Sequence, residues 1–569
     1  MPHYQEKEEK MKHILYISVI FVLILGFSIF EVSAKRFEDM GSPAIVILDS
    51  TNKSVTKDIL DYIESQGGHI VHIYPPHVLI GYVSDQLAKD LPSHGKINRI
   101  TRDLLDPVTV ERYGPIAVAG VIAWNNNFKG MAEFNGLESP IDAPNGLPLD
   151  NDTFTRPAPE LGVAMSPPYG ATSTDTSEYM LGKTAVGIIL TKSNGNVDPS
   201  TENWTTNEEN NVVSEIQEGL NWWANTANRM IGVELTFVYD IHLRVPTKYE
   251  PINRPKSDEG LWITDAMNFL GYTSGGYFNM IDQYCNAIRD LYDTDWAYTI
   301  FVADSSADAD GKFSDGSFAY AYVGGPFTQM TYGNDGWGIS RMDQVIAHET
   351  GHIYYAFDEY TESNCNKTAT RGYLNVPNTN CRSGINCIMN ANSTVDPCQY
   401  TMGQIGLRDT DGDGIADILD VSPDSTLNPY SPDPTSDDTP TYTGSAIVVA
   451  LTNMNPSGLK HNITLNKIAN VQYRVDGGAW TNAIPTDGIY NGASEAFAFT
   501  TSTLSSGTHT IEVRAIDSSG NIETSYSSDQ LTIINSPVIS KVAPSSGTTS
   551  GGTSVTITGT DFGISQGTV

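Results

Sequence analysis

The chain has 569 residues, 39% of them apolar, with 67 Asp and Glu against 33 Lys and Arg and a formal net charge of −34. One hydrophobic core rarely grows past about 250–300 residues, so several domains are expected. An apolar fraction of this size excludes a multi-span membrane protein, and an acidic surface repels phosphate backbones, so nucleic acid is excluded as a partner.

Residues 1–34 read as a targeting segment. Lys10, Lys12 and His13 precede an apolar run from Ile14 to Phe30, and Val32, Ser33 and Ala34 form a small-residue cleavage site. The expectation is a signal peptide, or an uncut anchor through residues 14–30, with the rest of the chain secreted or extracellular. Synthesis starting at Met11 would remove the acidic stretch that precedes the run.

Residues 42–107 alternate strand and helix in the order βαββαβ. Ala44 to Leu48 is a strand, and Val55 to Gln66 is amphipathic through Ile59, Leu60 and Ile63. Gly67 and Gly68 end that helix. His69 to Tyr74 and Val78 to Val83 flank the Pro75–Pro76 turn, Ser84 caps a second helix, and Ile97 to Thr101 is the last strand. This order suggests a ferredoxin-like α+β unit and resembles the propeptide inhibitor domains of secreted peptidases. Residues 108–175 hold Pro157, Pro159, Pro167 and Pro168 and read as a linker without regular structure.

From Thr176 to about residue 405 an α/β pattern is expected. Thr184 to Leu190, Val233 to Ile241 and Trp296 to Ala303 are strands, and Glu208 to Asn228 is a helix. Ile263 to Tyr292 is helical with a break at Ser274, Gly275 and Gly276. A mixed sheet backed by helices follows from this order.

The chemistry lies in His348, Glu349, Thr350, Gly351 and His352. A helix is expected from Ser340, with Ser340 and Asp343 as a capping box. Residues four apart share a helical face, so His348 and His352 can aim at one ion. Two imidazole nitrogens and one oxygen suit Zn²⁺ with one position left open. Glu349, beside the first ligand, is placed to act as general base on water.

The motif continues to Tyr355, Asp358 and Glu359 and here resembles the metzincin peptidases, in particular IgA-peptidase-like secreted members. The resemblance implies a zincin-type catalytic domain over roughly residues 180–405, with Asp358 as third zinc ligand. Glu359 is the alternative ligand. Tyr355 stands where the family has a glycine, so the chain is expected to turn off the helix elsewhere. Cys387, Ile388 and Met389 resemble the metzincin Met-turn, which makes Met389 a packing residue beneath the metal. Tyr354, Tyr355 and Tyr400 are candidate oxyanion donors.

Cys365, Cys381, Cys387 and Cys398 follow the motif, and Cys285 precedes it. Outside the cell the four read as two disulfides, preferably Cys365–Cys381 and Cys387–Cys398, with Cys285 left over. A four-cysteine zinc site is the rival.

Residues 406–440 hold a calcium-loop pattern and a proline-rich spacer. Asp409, Asp411, Asp413, Asp417 and Asp420 occupy positions 1, 3, 5, 9 and 12 of an EF-hand-like loop, Gly414 the turn, and Ile415 offers a backbone carbonyl. The string resembles a single thrombospondin type-3 calcium repeat. Residues 441–533 show short alternating strands between Gly, Asn and Ser turns, an Ig-like sandwich pattern. Residues 534–569 resemble the opening of an IPT/TIG domain, with more of it expected to follow.

The expectation is an extracellular zinc endopeptidase that takes a protein or peptide substrate, with structural Ca²⁺ and C-terminal modules that bind cell-surface components. One alternative is a cell-surface adhesion or structural protein with an inactive peptidase-like domain. Another is a zinc hydrolase acting on an ester or amide of cell-wall material.

Overall fold

The computed structural model describes residues 36–94, 96–133, 167–391, 395–458 and 460–562. The targeting segment, residues 14–30 with it, and Pro157 and Pro159 lie outside the described residues. No described helix is long and apolar enough to cross a membrane.

The N-terminal unit contains strand β1 (Ser42–Leu48), helix α1 (Lys53–Ser65), β2 (His69–Tyr74), β3 (Val78–Val83), α2 (Asp85–Asp90) and β4 (Ile97–Thr101). Asn52 starts α1 by accepting from the Ser54 N–H at 3.0 Å, and Ser84 starts α2 by accepting from Leu87 at 3.1 Å. The strands pair in the order β4-β1-β3-β2, antiparallel throughout.

This unit does not stand apart as expected. β2 continues into the next sheet by pairing in parallel with β6 (Leu235–Thr247), His72 opposite Phe237 and Ile73 opposite Val238. β2 is buried on both faces, so its second edge needs a partner. His72 helps close the join: Nδ1 lies 2.8 Å from the Tyr239 hydroxyl and Nε2 3.2 Å from Asn221 Oδ1. Burial holds its pKa down at about 3, so the ring is neutral.

The expected linker is structured in its first part. Pro115–Glu133 form α3, a 19-residue helix that packs on α4 (Thr206–Ile231) and against β2 and β3. Pro115 takes the first helical position, where proline's missing N–H costs nothing. Gly120 lies against Tyr74, where an added β-carbon would come within 2.9 Å of the ring.

The larger unit adds β5 (Gly182–Ser193), β7 (Trp296–Ala303), β8 (Ala319–Ala321) and β9 (Phe327–Thr331). Strands β5, β6, β7 and β9 run parallel, β8 pairs antiparallel to β9 at the edge, and a single nine-stranded sheet results. Two-residue alternation divides β5 between two cores. Val186, Ile188 and Leu190 join a core with α4 residues Val212, Ile216 and Leu220 and with Val345 and Ile346 of α7 (Met342–Ile353). Ala185 and Ile189 join a second core with α5 (Glu259–Phe269) and α6 (Tyr277–Tyr292). The helical break expected at Ser274 to Gly276 separates those two helices.

The C-terminal region is an all-β sandwich of two four-stranded sheets. Gly507–Asp517 alternates buried and half-buried positions along most of its length, and Ile511 and Val513 meet Tyr442 and Phe497 of the facing sheet. The sandwich is tied to the larger unit through Tyr373, whose hydroxyl donates to Leu451 O at 2.6 Å and accepts from Ile463 N at 2.8 Å. The protein is thus multidomain, mixed α/β with a C-terminal β-sandwich region.

Candidate metal centre

α7 carries His348, Glu349 and His352, all buried. Its start departs from the expected capping box. The helix begins at Met342, preceded by a 3₁₀ turn over Ile339–Arg341, and no side chain caps it. Asp343 is instead drawn inside, where burial and the Glu218 charge push its pKa up to about 7.

The end of α7 also departs from expectation. Tyr355 itself makes the turn, at φ 74. Its N–H donates to His352 O at 3.0 Å and the Ala356 N–H to Gly351 O at 2.9 Å, the paired closure of a left-handed helix terminus. A tyrosine accepts this conformation because its ring is held: a β-carbon on Gly324 would lie 2.6 Å from it, and one on Gly458 3.0 Å from its hydroxyl.

The turn returns Asp358 to the histidines. Asp358 Oδ1 lies 3.1 Å from His348 Nε2 and 3.2 Å from His352 Nε2, and the two Nε2 atoms are 3.2 Å apart. The other ring nitrogens are fixed from outside, His348 Nδ1 by Ile388 O at 2.9 Å and His352 Nδ1 by Ala356 O at 2.8 Å. With Nδ1–H donated to a carbonyl, Nε2 of each ring is the atom left to face the carboxylate. Three acceptors at these separations, next to a tetrahedral edge of about 3.3 Å for bonds of ~2.0–2.1 Å, fit a Zn²⁺ ion.

Buried carboxylate oxygens supply a second test of fit. Both Glu349 oxygens and Asp358 Oδ2 are buried, and among the described residues no side chain donates to Glu349, whose hydrogen bond comes from the Ala321 backbone alone. Burial raises the Glu349 pKa against the lowering pull of His352 and His348. Burial lowers His352, but the Asp358 charge and hydrogen bond override it and lift the ring to about 9, so the pocket favours positive charge. For Asp358, burial acts upward and the two histidines prevail, holding it well below the usual carboxylate range.

Glu359 does not reach this centre. Its carboxylate accepts from Asn380 Nδ2, from Thr401 Oγ1 at 3.1 Å and from Cys398 Sγ at 3.0 Å. Its backbone N–H donates to Met389 O at 2.8 Å. Met389 lies in the Ile388–Asn390 turn beneath α7, buried among core residues.

The cysteine pairing is corrected in one half. Cys365 and Cys381 form a disulfide, while Cys387 and Cys398 are thiols beside Glu359. The Cys285 thiol is buried 3.4 Å from the Thr299 hydroxyl. Of the tyrosine candidates, Tyr354 turns into the core to Thr184 at 2.7 Å, and the Tyr355 hydroxyl lies 3.5 Å from Glu178. Tyr400 sits half-buried on α8 (Gln399–Gln404).

Sequence reasoning missed Lys256, Glu259, Tyr320 and Tyr322. The Lys256 ammonium lies 4.2 Å from the Tyr320 ring centre, and both tyrosine hydroxyls donate to Glu259. Burial pulls the Lys256 pKa down to about 7, against the opposing charges of Glu259, Asp315 and Glu349. No local motif marks this cluster, which joins the start of α5 and the turn before it to residues about 60 positions further along the chain.

The acidic loop closes only in part. Asp409, Asp411 and Asp413 each offer an oxygen within 4.8 Å of the others. Asp409 accepts from Gly412 and Gly414, at 2.8 and 2.9 Å, and Gly414 turns at φ 91. Ile415 enters through its N–H, which donates to Asp413 at 2.8 Å. Asp417 is half-buried, its carboxylate taken by Arg408 Nε at 2.6 Å and by Thr410. Burial raises the Asp420 pKa, and the charges of Asp413, Asp411, Asp417 and Asp409 raise it further.

Residues 537–569 match the IPT/TIG domain family. Within the TIG match, Val538–Ala543 pairs antiparallel with Thr556–Thr560. No curated protein matches the chain. Among solved structures it is similar to OgpA from Akkermansia muciniphila, at 10% identity and TM-score 0.20, over 62% of this chain and 94% of that one. It is also similar to the CbhA fibronectin(III)-like modules of Clostridium thermocellum, at 17% identity and TM-score 0.14, over 20% and 47%. A third is the sulfane dehydrogenase SoxCD from Paracoccus pantotrophus, at 20% identity and TM-score 0.13, over 18% and 23%. The chain thus spans about half of the CbhA modules and about a quarter of SoxCD. Likenesses this distant assign no activity.

Proposed function

We propose that the chain is an extracellular zinc-dependent endopeptidase of metzincin type. The observation that carries this reading is the triangle of His348, His352 and Asp358 donors, with the buried Glu349 beside it and, among the described residues, no side chain donating to its carboxylate. Zinc held by these three would supply Lewis-acid polarisation of water and of a peptide carbonyl. Glu349 takes the proton of the attacking water and returns it to the leaving amine. Its burial, which raises its proton affinity, suits both transfers. Ile388 O and Ala356 O hold the two imidazoles in one tautomer, so no ring has to rotate during turnover.

The N-terminal unit, read as ferredoxin-like from its 4-1-3-2 strand order, lies at the opposite end of the sheet from β8. That position supports a structural cap on β6 better than a plug of the metal centre. Residues 14–30 would export or anchor the chain, the Asp409–Asp413 loop would take Ca²⁺, and the sandwich and TIG regions would bind surface components.

The deciding experiment uses the full chain, with metal content and hydrolysis of unfolded protein measured before and after chelation. One zinc at the histidine centre and chelator-sensitive cleavage that returns with Zn²⁺ are expected. A Glu349→Gln chain that keeps its zinc yet cleaves at more than a few per cent of the original rate would overturn the assignment.

A further inference from the structure

Glu359, Cys387 and Cys398 form a second cluster that the proposed hydrolysis does not use. Each comes from a different segment: the turn after Asp358, the residue before the Ile388–Asn390 turn, and the N-cap of α8. One carboxylate oxygen and two sulfurs all lie within 4.8 Å of one another. Thr401 Oγ1 stands 3.1 Å from Glu359 Oε1, 3.2 Å from Cys387 Sγ and 3.5 Å from Cys398 Sγ. Glu359, Cys387 and Thr401 are fully buried.

We infer that this cluster is a second, structural zinc site. Glu359, Cys387 and Cys398 are its ligands, and the Thr401 hydroxyl stands at the fourth corner. Zinc–sulfur bonds of about 2.3 Å and zinc–oxygen bonds of about 2.0–2.2 Å set tetrahedral donors roughly 3.3–3.8 Å apart, within reach of a cluster whose Cys398 Sγ lies 3.0 Å from Glu359 Oε1 and whose three ligand atoms all fall within 4.8 Å of one another. Two soft sulfurs and one carboxylate select Zn²⁺ over Ca²⁺ or Mg²⁺. Both thiols lose their protons to solvent as the ion binds.

The site would act by position. The Glu359 N–H holds Met389 O, and Ile388 O in the same turn holds His348 Nδ1. An ion joining Glu359 to Cys387 thereby fixes the segment that presents Asp358 to the turn that orients His348.

The test is Co²⁺ titration of the full chain, stripped of metal, kept under mild reductant and held in excess Ca²⁺ to fill the acidic loop. A thiolate-to-cobalt charge-transfer band is expected. It should be lost in Cys387→Ser and Cys398→Ser, and kept in His348→Ala and in Cys365→Ser/Cys381→Ser. Glu359→Gln should weaken this cobalt tenfold or more. The His348→Ala result separates this site from the peptidase reading, since the band survives even if the histidine centre is not catalytic. Absence of the band in the original chain, which needs no variant to fold, would overturn the inference. So would peptide mapping of the unreduced, zinc-replete chain that finds Cys387 bonded to Cys398.

Discussion

Gly351 and Met389 touch without room for one further carbon: a β-carbon on Gly351 would sit 2.8 Å from the Met389 sulfur. Both are buried, so the sulfur must shift within a packed core. Gly351→Ala should therefore destabilise by about 1–3 kcal/mol, as overpacking does, and push α7 away from the turn that holds His348. Denaturant unfolding measures the first effect and zinc retention the second. An alanine variant with unchanged stability and unchanged zinc would mean that Met389 is ordinary, adaptable core.

Asp358 and Glu359 are neighbours in sequence but face different groups. Asp358→Ala should strip zinc from the histidine centre, with more than a hundredfold loss of affinity, because it removes a direct ligand rather than an outer contact. Glu359→Ala should cost the histidine centre far less, since it only loosens the segment that presents Asp358. Metal analysis of the two variants in a Cys387→Ser background reads the histidine centre alone, and equal loss in both would refute the division.

How much of this was legible in the sequence varies with distance along the chain. The pairing of His348 with His352 follows from one turn of helix, and the helices and parallel strands around them from local periodicity. The turn at Tyr355 is hidden in the sequence because a left-handed position favours glycine, whereas here a tyrosine ring packed on Gly324 holds the same backbone. The join of β2 to β6 and the meeting of Glu359 with Cys398 are long-range, and no local pattern encodes them. The linker reading of residues 108–175 rests on prolines further along, while Pro115, at the first turn of α3, starts a helix.

The conformation of Tyr355 can be tested by its sign. Within a helix, alanine is favoured over glycine by about 1 kcal/mol. At φ 74 the order should reverse, with Tyr355→Gly more stable than Tyr355→Ala by about 1 kcal/mol. Both should fall below the original chain, because both lose the ring. Denaturant unfolding of the two variants decides, and an alanine variant the more stable of the two would place the turn elsewhere.

His72 predicts an acid response at the join of the two parts of the sheet. Its folded pKa, about 3, lies below the unfolded value of roughly 6.5, so the unfolded chain binds the extra proton. Its contribution is fully present above about pH 6.5 and declines as pH falls toward 3, at about 1.4 kcal/mol per pH unit. Burial is the main cause, opposed by the Asn221 hydrogen bond and aided by His69. His72→Gln should flatten the acid limb of a stability–pH curve for the N-terminal unit, followed by hydrogen exchange in β2. An unchanged limb would assign the acid sensitivity to other groups.

Calcium should act on the exposed tip of the acidic loop and not on its base. Thr410, Asp411, Gly412 and Asp413 are exposed, while Ala416 and Ile418 are buried against the larger unit. The tip carboxylates face one another within 4.8 Å and repel. A Ca²⁺ ion would draw them to about 2.3–2.6 Å from one centre. Asp420, whose proton affinity is raised by burial and by those same charges, would then join them, the ion offsetting that repulsion. Asp417 is held by Arg408 and contributes through the loop's shape, so Asp411→Asn and Asp413→Asn should weaken calcium binding more than Asp417→Asn does. Extracellular sites work at affinities on the order of 10⁻⁴–10⁻³ M, so millimolar calcium is the concentration to use. An Asp-directed protease should nick the chain between Thr410 and Asp413 without calcium and spare it with calcium, leaving zinc content unchanged. Identical nicking in both conditions would make the string a solvated acidic turn with no ion to hold.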